Sequence, residues 1–266
     1  MSLPDILSIV ASISYLLAAF ITITTLFTDK GPNIILVLCL GCIAIVAHSV
    51  STTQLLFNSD TINFSLPNVI SLVSLIISLT VSAIAIKFKV NLLLPVVYSF
   101  AAFWQFILFL IPNNTKNQII TDQLSMVSHI SFSLIAYCIL VIATLYAFQV
   151  SYINYKLKHK NLQAVNHLPP LMQVEGQLFT LLAMGTFCLS LSLLIGFVFL
   201  ENFLSVQNGH KIVLSVMALA VYITILWGHF KLGWRGHKVL ILTNIATFLL
   251  TLAYFGSRFV KEFILQ

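Results

Sequence analysis

From Ile6 to Phe27 the chain runs without a single charged residue, and seven more apolar stretches of similar length follow it. They cover approximately 33–54, 68–86, 91–111, 123–150, 177–200, 212–230 and 239–257, separated by breaks of charge, Pro, Gly or Asn. Each is close to the ~20 residues that a helix needs to cross the hydrocarbon of a bilayer. Within hydrocarbon a backbone must satisfy its own hydrogen bonds, so each stretch is expected to be a helix. Composition agrees: 8% of residues are charged and 59% hydrophobic, against about a quarter charged in a soluble domain. The expectation is an all-α polytopic membrane helix bundle of about eight transmembrane helices, one domain over 1–266. The first run has no basic stretch before it and no small-residue cleavage site after it, and is therefore read as an uncleaved span.

The basic residues orient the chain. Odd-numbered loops hold Lys30, Lys87, Lys89, Lys156, Lys158, Lys160, Lys231, Arg235 and Lys238, whereas even loops hold only Lys116 and Lys211. Nine against two places the odd loops in the cytoplasm and both termini outside. A reporter fused after Gln266 should accordingly read out as periplasmic; a cytoplasmic signal would reverse the assignment. The net charge of +6 thus serves topology, and no nucleic-acid partner is expected. The longest loop, 151–176, is cytoplasmic on this reading, and its "LPPLMQVEGQLF" segment is expected to lie at the interface before the sixth span. Pro95 is expected to kink the fourth span beside Tyr98.

Small polar residues recur at helical spacing. Ser71, Ser74, Ser78 and Ser82 make one stripe on the third span, and Gly41, Ala44 and His48 another on the second. Such stripes let helices approach closely in lipid, and packing is their first explanation. Cys39 and Cys42 form a C-x-x-C pair, but mid-span thiols pack as small hydrophobes, and no His follows to attach a c-type haem.

With these boundaries no Asp, Glu, Lys or Arg falls inside a span, while His48, His129 and His229 do. Ionisable groups in the membrane read as functional by default, although a hydrogen-bonded structural histidine remains open for each. His48 and His129 both lie six residues from the outer end of their spans, roughly 9 Å below the boundary at 1.5 Å per residue. Two imidazoles at one depth, with no carboxylate or thiolate beside them, suit a metal that brings its own ligands. Haem does, needing only one or two axial groups; zinc and calcium sites fit less well. His229 lies near the inner end of the seventh span and would serve a second position, or anchor the interface together with its neighbouring tryptophans.

The segments "HISFSLIAYCILVIATLYAFQ" (129–149), "LPPLMQVEGQLF" (168–179), "LLPVVYSFA" (93–101) and "LWGHFKLGWRG…LAYFGSR" (226–258) together resemble the cytochrome c assembly family. This is the haem-handling membrane family that includes CcsA, CcmC and HemX, and the likeness is strongest to its YpjD-type inner membrane members. The resemblance implies haem, of the b type, as cofactor, the bacterial cytoplasmic (inner) membrane as location, and cytochrome c maturation proteins as partners. It also implies that His129, with Ser133 and Tyr137, matches the family's external histidine segment, and that His229, before Gly233, Trp234, Arg235 and Gly236, matches its embedded one. His48 is similar to the second-span histidine of YpjD- and HemX-type members.

The expected haem-contacting set is His48, His129, His229, Tyr137, Trp227, Trp234 and Arg258, with His48 and His129, at equal depth, as axial ligands of an outer haem; Lys116, Lys211 and Arg258 are the external candidates for its propionates, Arg258 being nearest a span end. Trp227 and Trp234 are also read as interface anchors, and Gly228 and Gly233 as easing the turn. The chain lacks the tryptophan-rich external loop of CcsA and CcmC: "ENFLSVQNGHK" (201–211) holds no Trp. The resemblance therefore implies a haem-binding accessory, not a complete synthetase. No nucleophile–base constellation is visible and no enzymatic turnover is expected. A small-solute transporter and a HemX-like regulatory scaffold acting through loop 151–176 are the alternative readings.

Overall fold

The computed structural model describes residues 3–26, 28, 31–58, 61–63, 65–88, 90–110, 118–120, 124–159, 168–199 and 209–256. Among the described residues, eight helices are long and apolar enough to span a membrane: α1 (Leu3–Thr25), α2 (Ile34–Leu56), α3 (Leu66–Lys87), α4 (Leu93–Leu110), α5 (Leu124–Lys158), α6 (Leu171–Phe199), α7 (Gly209–Leu232) and α8 (His237–Thr251), the last continued by a π-helical turn over Leu252–Gly256. The protein is an all-α polytopic membrane protein. Its outer faces carry large apolar side chains, among them Phe20, Phe103, Phe187 and Phe197, each more than 60% exposed. A water-soluble surface does not tolerate that density of exposed apolar groups; lipid does.

By its contacts the chain forms two compact units, residues 1–121 with 156–169, and residues 122–155 with 170–266. In the first, α1 packs on α2 and α4, and α3 on α4 and α2. Its core mixes tyrosines with small residues: Tyr15, Tyr98, Ala11, Ala18, Ala44, Ala101 and Ala102 are all fully buried. Gly41 leaves the space that the Tyr98 ring occupies, since a Cβ there would run into the Tyr98 hydroxyl. The serine stripe of α3 is buried along its whole length, and Ser82 Oγ hydrogen-bonds the Tyr98 hydroxyl at 2.7 Å. Close packing explains part of the stripe; polar partnership explains the rest.

Three short strands, β1 (Phe57–Asn58), β2 (Thr61–Asn63) and β3 (Gln118–Ile120), form an antiparallel ribbon in the order β1-β2-β3. They join the connections after α2 and after α4, with Ile62 opposite Ile119. Nothing in the apolar pattern predicts them, because they lie between the spans.

The second unit is built on α5 to α8, with α7 against α6, α8 and the π-helical turn. Three boundaries differ from the sequence reading. First, α5 continues to Lys158, so the first eight residues of the expected 151–176 loop are helix. Second, α6 starts at Leu171, immediately after Pro169–Pro170. The expected interfacial segment is its first turns, and Pro170 sits where a missing N–H costs a helix nothing. Third, Pro95 lies in the first turn of α4. There it removes no intrahelical bond and gives no cause for the expected kink beside Tyr98.

Candidate functional site

The observed helix bounds put Asp5 in α1 and Glu175 in α6, which corrects the expectation that no Asp, Glu, Lys or Arg lies within a span. Glu175 is buried, at 8% exposure. Burying an isolated carboxylate is costly, and here the charge is compensated: Arg235 Nε lies 3.4 Å from Glu175 Oε1. Arg235 comes from the α7–α8 connection, "GWRG", and its position follows from the backbone there. Gly233 ends α7 with φ +66°, and its N–H donates to the His229 carbonyl. This is a left-handed cap that only glycine adopts freely. Trp234 N–H then donates to the Gly228 carbonyl, and Gly236, at φ +63°, turns the chain into α8.

The same turn positions His229. Gly228 has no side chain, and the Trp234 indole lies in the space a Cβ would take. With Trp234 held there, its carbonyl accepts a hydrogen bond from His229 Nδ1–H at 3.1 Å. One imidazole face is stacked on Phe179 of α6, with ring centroids 3.3 Å apart and planes 14° from parallel. A carbonyl can only accept, so Nδ1 carries a proton, and in the neutral imidazole it is Nε2 that keeps the lone pair. Ligating histidines in metal sites are oriented in this way. His229 lines a cleft of ≈ 510 Å³ with Glu175, Phe179, Met172, Met184 and Arg235, within the 300–1,000 Å³ range of sites for cofactor-sized ligands.

His129, in the second turn of α5, shows the same orientation at the other end of α6. Its Nδ1–H donates to the Ser192 carbonyl at 2.8 Å, and Ser192 Oγ donates back to the His129 carbonyl at 3.2 Å. Ser133 and Tyr137 follow on the same face and are buried. The Tyr137 hydroxyl is 3.1 Å from Thr251 Oγ1, and its ring packs against Tyr254 and Phe255. Helix α6 measures the distance between the two histidines. Phe179 and Ser192 are thirteen residues apart, about 20 Å along the axis. One iron cannot reach both.

His48 belongs to the first unit and is fully buried. Both of its ring nitrogens have partners: Nδ1 lies 3.3 Å from the Tyr15 hydroxyl and Nε2 3.1 Å from Ser71 Oγ. Ser71 is the centre of this network, also bonded to Thr52 Oγ1 at 2.9 Å and Gln105 Nε2 at 3.0 Å. His48 and the serine stripe stand apart in the sequence, and the structure joins them through Ser71.

Of the remaining expected residues, Trp227 is 65% exposed on the outside of α7, as suits an interface anchor. Trp234 does more, because its ring fills the space over Gly228 and its carbonyl fixes His229. Arg258 lies outside the described residues. Cys39 and Cys42 are free thiols on the exposed face of α2. Glu175, Phe179 and Ser192 were not foreseen as site residues, and Arg235 was assigned only to topology. Among the described residues no three His, Cys, Asp or Glu side chains come together to hold a bare metal ion, so the donor set offers isolated imidazoles.

Eight spanning helices among the described residues, with histidines buried or half-buried between them, define the class as a polytopic helical membrane protein. The chain belongs to the cytochrome c assembly protein family, which it matches over residues 36–265. Inner membrane protein YpjD of Escherichia coli (strain K12) is 36% identical to it, over 97% of this chain and 99% of that protein. An uncharacterized 28.8 kDa protein of Azospirillum brasilense, named for a nifR3-like 5' region, is 32% identical over 140 residues, 52% of each chain. No solved structure matches the chain.

Proposed function

We infer that this protein is a haem-binding accessory of cytochrome c assembly in the bacterial inner membrane. It holds haem b for transfer to cytochrome c maturation proteins and performs no turnover of its own. One observation carries the reading: His229 gives an Nδ1 proton to the Trp234 carbonyl beside the cleft it lines, the orientation in which an imidazole offers Nε2 to a metal. Family membership supports it, as does the name of the E. coli relative for the location. Bound haem supplies an iron that accepts an imidazole nitrogen and two propionates that need cations or water. At the inner position the residues fit it: His229 would offer an imidazole nitrogen to the iron, Phe179 would fix the imidazole plane, Met172 and Met184 would line the cleft, and the Arg235 guanidinium, paired with Glu175, stands at its edge.

Protein made with ample haem and purified in detergent should show a Soret band. His229→Ala should remove the share due to the inner position and leave a spectrum from the outer histidines. A protein without haem would turn the reading toward the transporter alternative, for which Glu175 supplies an embedded carboxylate. Haem retained in full after His229→Ala would reject the inner ligand alone.

A further inference from the structure

The inner cleft holds a pair of opposite charges that the sequence reading did not assign to ligand binding. Glu175 is nearly covered, with its side chain 11% exposed, whereas the Arg235 side chain is 59% exposed at the edge of the same cleft. Their contact uses Arg235 Nε, one donor of a guanidinium that has five. An anionic substituent on a cleft ligand would therefore meet a cation that is already neutralised by a covered carboxylate.

We propose that Glu175 is an affinity-setting residue: a resident competitor for Arg235 that keeps a carboxylate-bearing cleft ligand weakly held and exchangeable. The proposal rests on the haem reading above and adds what that reading lacks, a reason for burying an acid beside the ligand. Three observations converge on it. The acid lies in the helix that also stacks Phe179 on His229, so it is at the ligand position. It is close to Arg235 and covered, so its charge is weakly screened by water. Arg235 is placed by two positive-φ glycines and by Trp234, so its location does not depend on Glu175. Removing the negative charge while keeping the hydrogen-bonding shape, as Glu175→Gln does, leaves Arg235 in place with its charge available.

Full-length protein in detergent is titrated with haemin and with haemin dimethyl ester, which lacks the carboxylates, and the Soret change is followed. Glu175→Gln should bind haemin about tenfold more tightly, the scale of one charge-assisted hydrogen bond, and release it correspondingly more slowly. Its affinity for the ester should not change. Arg235→Gln should weaken haemin and leave the ester unaffected, and in the double variant the two ligands should bind alike. Wild type, with Arg235 neutralised, should bind haemin and its ester within about threefold of each other, as expected for a partly exposed pair. This comparison needs no variant to fold.

Unchanged or weaker haemin binding by Glu175→Gln would overturn the proposal, as would equal tightening of haemin and ester. A wild-type preference for haemin of a hundredfold would do the same. In each of those cases haem still binds and the parent reading stands. If neither porphyrin produces a Soret change in wild type, both fall together.

Discussion

Gly228→Val is expected to disable the inner site without replacing any residue that lines the cleft. A valine Cβ at 228 would run into the six-membered ring of Trp234. Either the indole leaves or α7 moves, at an overpacking cost of about 1–3 kcal/mol. When Trp234 leaves, its carbonyl goes with it, and His229 loses the acceptor that fixes its tautomer and plane. Loss of such an outer-shell partner lowers metal affinity by about 10–100-fold, and the inner haem share should fall by that factor. Trp234 fluorescence should shift to the red as the ring leaves its place. Gly209→Ala is the matched control, since an added Cβ there meets nothing within 4 Å, and it should change neither signal. Gly228→Val with wild-type haem content and fluorescence would show that the Trp234 carbonyl does not hold the ligand.

This prediction also shows what could be read before folding. The three embedded histidines were visible because an imidazole in an apolar run stands out against its neighbours. Gly228 and Gly233 stood out beside Trp227 and Trp234, but only as parts of a turn. That Gly228 makes room for a ring six residues later is a tertiary fact, since the contact exists only after the Gly233 cap has reversed the chain. Glu175 was missed for a related reason. A charge close to a span end looks like the end itself, and the segmentation began the sixth span at Gln177, just beyond it. Only the backbone shows α6 starting at Leu171, with the acid enclosed and Arg235 brought to it.

The hydrogen-bond partners of the histidines were equally hidden. Ser192 is sixty-three positions from His129, and no local pattern links them. His48 is the opposite case. Its two partners, Tyr15 and Ser71, come from the spans on either side in sequence, and the serine stripe that supplies Ser71 was visible as a stripe. Its register against His48 was not. The short strands escaped altogether, because two or three residues of pairing between spans carry no periodicity long enough to recognise.

The same register makes the outer position the sharper test. Equal depth in the sequence is the ground for expecting His48, of the first unit, and His129, of the second, to be the two axial ligands of one haem. For His129, Nδ1 donates to the Ser192 carbonyl, so coordination would have to use Nε2. For His48 coordination means exchange, because Tyr15 and Ser71 occupy both nitrogens. Releasing Ser71 is the smaller loss, since its hydroxyl keeps Thr52 and Gln105 as partners. The sacrifice is one neutral hydrogen bond, about 1 kcal/mol. Two imidazoles give six-coordinate, low-spin iron, whose visible bands differ from those of a five-coordinate site. His129→Ala and His48→Ala should then each abolish the low-spin bands and loosen the outer haem by at least the 10–100-fold of an outer-shell loss, with added imidazole restoring part of both. His229→Ala should leave these bands in place, about 20 Å away along α6. If His129→Ala removes the bands and His48→Ala keeps them, His48 is the hub of a buried polar network and His129 takes its second ligand elsewhere. If both variants keep the wild-type spectrum and haem content, neither histidine holds iron, and the outer position falls.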